Sequence, residues 1–94
     1  NRWGGAHGGL LFSLCDVAMG MSIMTLRQET MVTVNATIDY LSAAPAGSTL
    51  TAVGRVDCIG GKLAFASAEV RDQTGKLMVQ SHCVMCFTGK ALPL

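Results

Sequence analysis

The sequence predicts a single α+β domain in which an antiparallel β-sheet wraps one long helix. Apolar residues at helical spacing occur once, near the start of the chain, and every later apolar run has the two-residue period of a strand. The segments between these runs are short and contain turn-forming residues. With 94 residues the chain has the length of one domain, which spans 1–94.

The helix is predicted from Gly9 to about Leu26, a stretch that contains no proline. One side of this helix is an aliphatic ridge, formed at helical spacing by Leu10, Leu14, Val17 and Met21. Because more apolar residues flank the ridge, we expect the helix to be covered on most sides. A narrow stripe is small or polar instead and consists of Ser13, Asp16 and Gly20.

Four strands are predicted after the helix, because four segments are rich in Val, Ile, Thr or aromatic residues. Their sequences are MVTVNATIDYL, TLTAVGRVDCI, KLAFASAEVRD and KLMVQSHCVMCF. Turn chemistry separates them, in the order AAPAG, Gly60-Gly61 and Gln73-Thr74-Gly75. We therefore expect four antiparallel strands in a meander, each longer than the usual length of about five or six residues.

The charge and hydrophobicity of the chain limit the classes of partner that it is expected to bind. A formal net charge of +1, without a run of Lys or Arg, does not provide the basic surface that nucleic acid requires. The hydrophobic fraction of 50% is high for a lone domain of this size, so we expect a homo-oligomer. The apolar segment from Leu10 to Met24 is interrupted by polar residues and is shorter than the ~20 residues of a membrane span, which argues against a membrane partner.

The four cysteines favour a reducing compartment, because no secretory signal accompanies them. We therefore predict a cytoplasmic location. Cys83 and Cys86 match a C-x-x-C pattern, but residues three apart on a strand point to opposite faces and cannot hold one metal ion. The sequence predicts structural thiols and no metal site.

A glycine-rich turn precedes the helix and can bind negative charge, because the first N–H groups of a helix are unpaired and lie at the positive end of its dipole. Phosphate-loop and dinucleotide patterns both fail here, since no Lys-Ser or Lys-Thr follows the glycines and no strand precedes them. The remaining candidate ligand is an oxyanion, the negatively charged oxygen that forms when a nucleophile attacks a carbonyl group. Asp16, the lone carboxylate of the apolar run, is the candidate reaction partner.

One helix cannot hold both parts of such a site. Gly8 and Asp16 are separated by eight residues, or ~12 Å along a helix, which is too far for both to act on one carbonyl. Two antiparallel helices related by a two-fold axis bring Gly8 of one subunit close to Asp16 of the other. This arrangement predicts two equivalent sites at a dimer interface.

Structural roles compete with these catalytic ones. Gly8 and Gly9 can serve only to allow a tight entry into the helix. Asp16 can accept a hydrogen bond from Ser13 or from a neighbouring strand. For His7, which precedes the helix and adjoins the glycines, bracing the turn is favoured over a role as general base.

The two motifs N-x-x-G-x-x-H-G-G, from Asn1 to Gly9, and L-x-D-x-A-x-G, from Leu14 to Gly20, resemble the signature of a known family. This family is the hotdog-fold acyl-CoA thioesterases of the phenylacetic acid degradation (PaaI-like) type. The later segments TVNATIDYL, Gly61-Lys62 and VRDQTGKLMVQS resemble the rest of that domain, so the likeness covers essentially the whole chain.

The resemblance implies a hotdog fold and hydrolysis of an acyl-CoA thioester, aromatic or of short to medium chain, with coenzyme A as part of the substrate and no other cofactor. It implies that the N–H of Gly8 polarises the thioester carbonyl and that Asp16 of the facing subunit is the nucleophile or general base. Asn1 and His7 would order the loop or touch the thioester, and Thr33 would orient water or Asp16. The residues expected to bind substrate, the last three through CoA phosphates, are Gly9, Ser13, Arg55, Lys62 and Arg71.

The chain departs from the family in one respect, and two other functions stay open. Family members usually carry a strand and often a helix ahead of the residue that matches Asn1, so we expect either a fragment that lacks its N-terminal segment or a minimal domain. The alternatives are a protein that binds acyl-CoA without turnover and a dehydratase or hydratase that acts on an acyl thioester. The second alternative is weaker, because the proline-rich loop expected after the histidine of carrier-protein dehydratases is absent.

Overall fold

The computed structural model describes residues 8–43, 45 and 47–93. Helix α1 comes first and is followed by four strands, whose bounds are Gly8–Met24 for α1, Glu29–Tyr40 for β1, Thr51–Ile59 for β2, Leu63–Arg71 for β3 and Leu77–Ala91 for β4. The strands form one antiparallel sheet, and α1 packs on one side of it. The predicted α+β class is confirmed. Among the described residues, no helix has the length and hydropathy needed to cross a membrane.

The strand order differs from the predicted meander. The order across the sheet is β1-β4-β3-β2, so β2, β3 and β4 form a meander but β1 pairs with β4. The prediction was wrong for β1 because a two-residue period identifies a strand without identifying its neighbour. After β1 the chain stays beside β4, where the N–H groups of Leu41 and Ser42 both donate to the carbonyl of Met78 at 2.9 and 3.2 Å. The connection 41–50 then carries the chain to the opposite edge.

The turn between β3 and β4 follows the predicted turn chemistry. Asp72 Oδ1 accepts hydrogen bonds from the Thr74 N–H at 2.9 Å, the Thr74 hydroxyl at 2.6 Å and the Lys76 N–H at 3.1 Å. Gly75 has a φ of 87°, a conformation that disfavours residues with a side chain. The sequence therefore determines this hairpin locally.

The face of α1 that enters the core is not the aliphatic ridge. Leu11, Cys15, Met19 and Ile23 are buried against the sheet, whereas Leu10, Val17 and Met21 of the ridge are 54, 56 and 58% exposed. The expectation of a helix covered on most sides is therefore wrong for the single chain. Apolar residues surround α1 almost evenly, so their spacing does not reveal which side meets the sheet.

The surface of the sheet on which α1 packs consists of small side chains, and we call it the alanine floor. On its helix side β3 contributes Ala64, Ala66 and Ala68, all buried, and β2 contributes Ala52 and Gly54. At Gly54 the two backbones almost touch, because an added Cβ would overlap the carbonyl oxygen of Ala18 and lie 2.5 Å from its carbonyl carbon. The helix consequently lies close to β2 and β3.

This position leaves the other half of the sheet without a helix. α1 packs mainly on β2 and β3, lightly on β4 and least on β1. The helix-side surface of β1 carries Thr33, Ala36, Ile38 and Tyr40, which pair across the ladder with inward-facing residues of β4. We call this surface the open inner face. Thr33 and Tyr40 are exposed on it, while Ala36 and Ile38 are partly buried.

Arg27 connects the exit of α1 to β1, to β4 and to the turn between β2 and β3. Its Nε and Nη2 donate to Glu29 Oε1 at 3.0 and 2.9 Å, and its Nη1 and Nη2 donate to the carbonyls of Gly60 and Gly61 at 2.9 and 2.8 Å. The guanidinium lies 3.9 Å above the ring of Phe87, and Glu29 Oε2 accepts the Gly89 N–H at 2.8 Å. We call this group the Arg27 clamp.

Candidate functional site

Two glycines of the predicted anion-binding turn, Gly8 and Gly9, are the first residues of α1. The helix begins at Gly8, and no acidic residue occupies its first turn, so the positive end of the dipole is not neutralised from within the helix. The Ser13 hydroxyl donates to the Gly9 carbonyl at 2.9 Å, which adds a bond one turn into the helix. Asn1 and His7, the other predicted residues of this turn, lie outside the described residues.

Asp16 lies two turns further along α1, on the flank of the helix away from β2, because the backbone of Ala18 is against β2 and residues two apart lie on roughly opposite sides of a helix. Its side chain is half-buried, and within the described residues no hydrogen bond or ion pair engages its carboxylate. Cys83 is a buried thiol on the helix side of β4. Burial raises the pKa of the Cys83 thiol, and the negative charges of Asp16 and Asp57 raise this pKa further. The negative charge of Asp16 therefore acts on a thiol of the helix side of β4.

Thr33 lies on the open inner face itself. It pairs with Met85 of β4, and its hydroxyl donates to the Met85 sulfur at 3.3 Å. A thioether sulfur is a weak acceptor, so this hydroxyl keeps the capacity to bond a better partner. Within the described part of the chain, no hydrogen bond joins Thr33 to Asp16.

Gly8 and Asp16 lie on the same unbroken helix, so the structure retains the separation expected from the sequence. Eight residues of α-helix extend over ~12 Å. The N–H of Gly8 and the carboxylate of Asp16 from one chain therefore cannot meet at one carbonyl carbon.

The predicted phosphate-binding cations lie away from Asp16. Arg55 and Arg71 are on the outer face of the sheet, opposite to α1, and are paired with Asp57 at 3.1 Å and Glu69 at 2.9 Å. Lys62 is in the turn between β2 and β3 and forms no ion pair with any residue that the structure describes. The structure thus does not bring these three cations together with the helix residues in one chain.

The cysteines do not form a metal site in the described residues. All four thiols are free, and Cys83 and Cys86 lie on opposite faces of β4. Across residues 8–43, 45 and 47–93, no three His, Cys, Asp or Glu side chains are grouped as a metal ion requires.

Two residues near the site were not predicted from the sequence. The charge of Asp16 reaches Cys83 only because β4 is an inner strand of the sheet, and no local pattern in the sequence indicates this effect. Gly54 brings β2 against α1, and a glycine within a strand pattern is a known signal of close backbone approach. That signal was present in the sequence.

Comparisons with known proteins agree with this fold and helix. The family model described as "Thioesterase superfamily" matches residues 4–79. The chain is 37% identical over 84 residues to acyl-coenzyme A thioesterase 13 of Mus musculus, covering 87% of this chain and 60% of that protein. A Pseudomonas aeruginosa protein named as an esterase is 40% identical over 83 residues, covering 86% of this chain and 60% of that protein. The chain thus spans 60% of the length of these curated relatives.

Two solved structures show the same architecture. A hypothetical thioesterase of Streptococcus pneumoniae with coenzyme A has a TM-score of 0.90 and 31% identity, covering 97% of this chain and 70% of that one. The PaaI protein of the phenylacetic acid degradation operon of E. coli has a TM-score of 0.88 and 29% identity, covering 99% of this chain and 67% of that one. Because the family model matches most of the chain and the two solved structures share its fold, the chain belongs to the thioesterase superfamily as a hotdog domain of the PaaI-like type.

Proposed function

We propose that this protein hydrolyses the thioester of an acyl-coenzyme A to a free acid and coenzyme A. The observation that carries the proposal is Asp16, a half-buried carboxylate without a hydrogen bond or ion pair among the described residues, on the helix that begins with Gly8-Gly9. The name of the mouse relative and the coenzyme A in the S. pneumoniae structure support an acyl-CoA substrate. The acyl group we propose is aromatic or of short to medium length.

The catalytic site is proposed to form between two copies of the chain. A second α1, antiparallel to the first, fits over the open inner face, which the chain's own helix leaves uncovered. The N–H of Gly8 in one subunit then approaches Asp16 of the other, which overcomes the ~12 Å separation within a single helix. Exposure of the aliphatic ridge also supports an oligomer, of two or four copies.

The proposed chemistry needs only groups from the protein, the substrate and water. The N–H of Gly8 stabilises negative charge on the thioester oxygen, a contribution often worth ~2.7–4 kcal/mol per donor. The ionised carboxylate of Asp16 either takes a proton from attacking water or attacks the carbonyl carbon itself. When water attacks, its oxygen bonds to the carbonyl carbon, the carbon–sulfur bond breaks, and the coenzyme A thiolate leaves and receives the proton that Asp16 accepted. When Asp16 attacks, the thiolate leaves in the same way and is protonated from solvent, and water then cleaves the acyl–Asp16 anhydride to release the free acid and restore the carboxylate. Thr33 orients the water or Asp16.

The remaining predicted residues have proposed roles in binding. Asn1 and His7 order the turn before α1 or touch the thioester. Gly9 and Ser13 line the acyl-thioester site along the first turns of the helix. For coenzyme A phosphates the proposed cations are Arg55, Lys62 and Arg71, and the two arginines would first have to leave their carboxylate partners. The four free thiols support a reducing, cytoplasmic location.

The test is release of free thiol from a panel of aromatic and straight-chain acyl-CoAs, with the wild type beside Asp16→Asn. We expect the wild type to release thiol and Asp16→Asn to lose at least ~10²-fold in kcat, because the amide can neither accept the proton nor attack. Asp39→Asn, the same change at an exposed position on the outer face of β1, is the matched control and should retain full activity.

Equal release by wild type and Asp16→Asn would remove Asp16 from the chemistry. A folded wild type that binds acyl-CoA and returns it unhydrolysed would replace the proposal with a binding protein.

A further inference from the structure

The contact between Gly54 and α1 is made by backbone alone. A Cβ on Gly54 would overlap the carbonyl oxygen of Ala18, lie 2.5 Å from the carbonyl carbon and lie 3.0 Å from the N–H nitrogen of Met19. The opposing atoms are helix backbone, so no change of side-chain rotamer relieves the overlap. Any side chain at residue 54 must move the helix and β2 apart, by about 1 Å to restore ordinary contact distances.

The turn of α1 that touches Gly54 is also the turn that carries Asp16. Ala18 and Asp16 are two residues apart and lie on roughly opposite sides of the helix, and the backbone of Ala18 is against β2, so Asp16 is on the side away from β2. An α-helix moves nearly as a rigid body over one turn because its hydrogen bonds hold it. Displacement at Ala18 is therefore transmitted to the Asp16 carboxylate.

We propose that Gly54 is a positioning residue for the hydrolysis: its missing side chain sets the depth at which α1 holds Asp16 above the sheet. This inference rests on the proposed function of Asp16. The floor of alanines on β3 extends the same height to the neighbouring strand, since Ala68 pairs directly with Gly54 and is buried beneath α1. Gly54 differs from these alanines because it meets the main chain of the helix.

The first experiment compares Gly54→Ala with the wild type in steady-state acyl-CoA hydrolysis. A misplacement of about 1 Å can cost ~10²-fold in rate, so we expect kcat to fall by about 10- to 100-fold while KM stays within about 2-fold. Gly61→Ala is the matched control, because an added Cβ there meets nothing within 4 Å, and it should leave both parameters unchanged. Circular dichroism at the assay temperature gives the folded fraction to which each kcat is referred.

The second experiment separates positioning from packing. Asp16→Glu lengthens the carboxylate by one methylene and should be harmful in the wild-type background. In the Gly54→Ala background, where α1 lies further from the sheet, the longer side chain reaches back, and we expect the double variant to exceed Gly54→Ala in kcat by about 3-fold or more. A residue that acts only in packing would give no such recovery, because Asp16→Glu adds nothing to the contact at Ala18.

Ala68→Ser keeps the inference testable if Gly54→Ala does not fold. It adds one atom to the floor beside Gly54, and we expect a smaller loss in kcat with KM retained, again partly recovered by Asp16→Glu. Full kcat per folded molecule in Gly54→Ala, or losses that simply add in the double variant, would overturn the role of Gly54. A folded wild type without hydrolysis would instead overturn the proposed function, so the two failures are distinguishable.

Discussion

The candidate site includes a half-buried carboxylate, Asp16 of α1, and the charge of this carboxylate acts on a buried thiol, Cys83 of β4. The sequence identifies Asp16 because one carboxylate interrupts an apolar helix, and the structure leaves it without a hydrogen-bond partner among the described residues. The effect of Asp16 on Cys83 could not be predicted, since the two residues are far apart in the chain and only the sheet order makes β4 an inner strand. Burial and the charge of Asp16 both keep the Cys83 thiol protonated.

The state of the cysteines leads to a prediction about their reactivity. Burial raises the pKa of the Cys15 thiol and contributes most to the raised pKa of Cys83, whereas Cys58 is exposed. Because the thiolate is the reactive form, an alkylating reagent at neutral pH should modify Cys58 first and leave Cys15 and Cys83 protected until the protein unfolds. Mass spectrometry of peptides after brief alkylation measures the order. Labelling of Cys83 as fast as Cys58 would contradict the burial described here.

Whole elements were predictable where local chemistry determines them. The helix start, the strand segments and the turn at Gly75 follow from spacing and turn residues, and the structure has them within a few positions. The neighbour of β1 was not predictable from period, although the connection 41–50 is longer than the hairpin connections at 60–62 and 72–76. Which side of α1 is buried could not be predicted from its sequence either, because it depends on the small alanine side chains of the sheet on which the helix packs.

The Arg27 clamp joins elements that no hairpin connects, so its loss should affect stability. Arg27→Ala removes the bonds to the carbonyls of Gly60 and Gly61 and the contact with Phe87, and should lower the free energy of unfolding by about 1–3 kcal/mol. Arg27→Lys keeps the positive charge but loses the planar guanidinium group with its several donors. Its free energy of unfolding should therefore lie between those of the wild type and Arg27→Ala. Denaturant unfolding of the three proteins measures the series. Equal stability of Arg27→Lys and wild type would show that charge alone suffices.

Three carboxylates among the described residues have lowered pKa values, Glu29, Asp57 and Asp72, and they link the stability of the fold to pH. The pKa of Glu29 is lowered, first by the Gly89 N–H and then by Arg27, and the pKa of Asp72 is lowered, first by the Thr74 hydroxyl. A carboxyl whose pKa is lower in the folded than in the unfolded state stabilises the fold above its unfolded pKa. This contribution is lost as the pH falls through the folded pKa. Stability should therefore decline below about pH 4.5, the ordinary value for Glu29.

Denaturant unfolding at a series of acidic pH values tests this prediction. Glu29→Gln is the informative variant, because it removes the titrating group and should flatten the decline while lowering stability at neutral pH. A decline of the same slope in Glu29→Gln would assign the acid sensitivity to other carboxylates.

At the scale of the whole molecule, the sites are expected to be shared between subunits. Gly8→Pro removes the N–H proposed to polarise the carbonyl, at a first helical position where proline is tolerated, and Asp16→Asn removes the carboxylate. Each variant alone should be inactive. Unfolded together and refolded at equal amounts, they should recover about a quarter of wild-type activity, because half of the dimers are hybrids and each hybrid has one intact site.

Refolding each variant alone is the control for this mixture. Light scattering should report the same mass for wild type, each variant and the mixture, since neither change disrupts the proposed interface. An inactive mixture of correctly assembled hybrids would indicate that Gly8 and Asp16 of the same chain serve one site.

The pairing of β1 with β4 also constrains how the chain acquires its structure. Glu29 pairs with Ala91, so the largest strand interface joins segments that are distant in sequence. In contrast, β2, β3 and β4 pair with one another through short hairpin connections. Contacts of long sequence separation form late, because chain closure must precede them. During synthesis on the ribosome, β1 leaves the exit tunnel before its only partner strand among the described residues exists. Until β4 follows, β1 has neither edge paired and is the segment most exposed to association with other nascent chains.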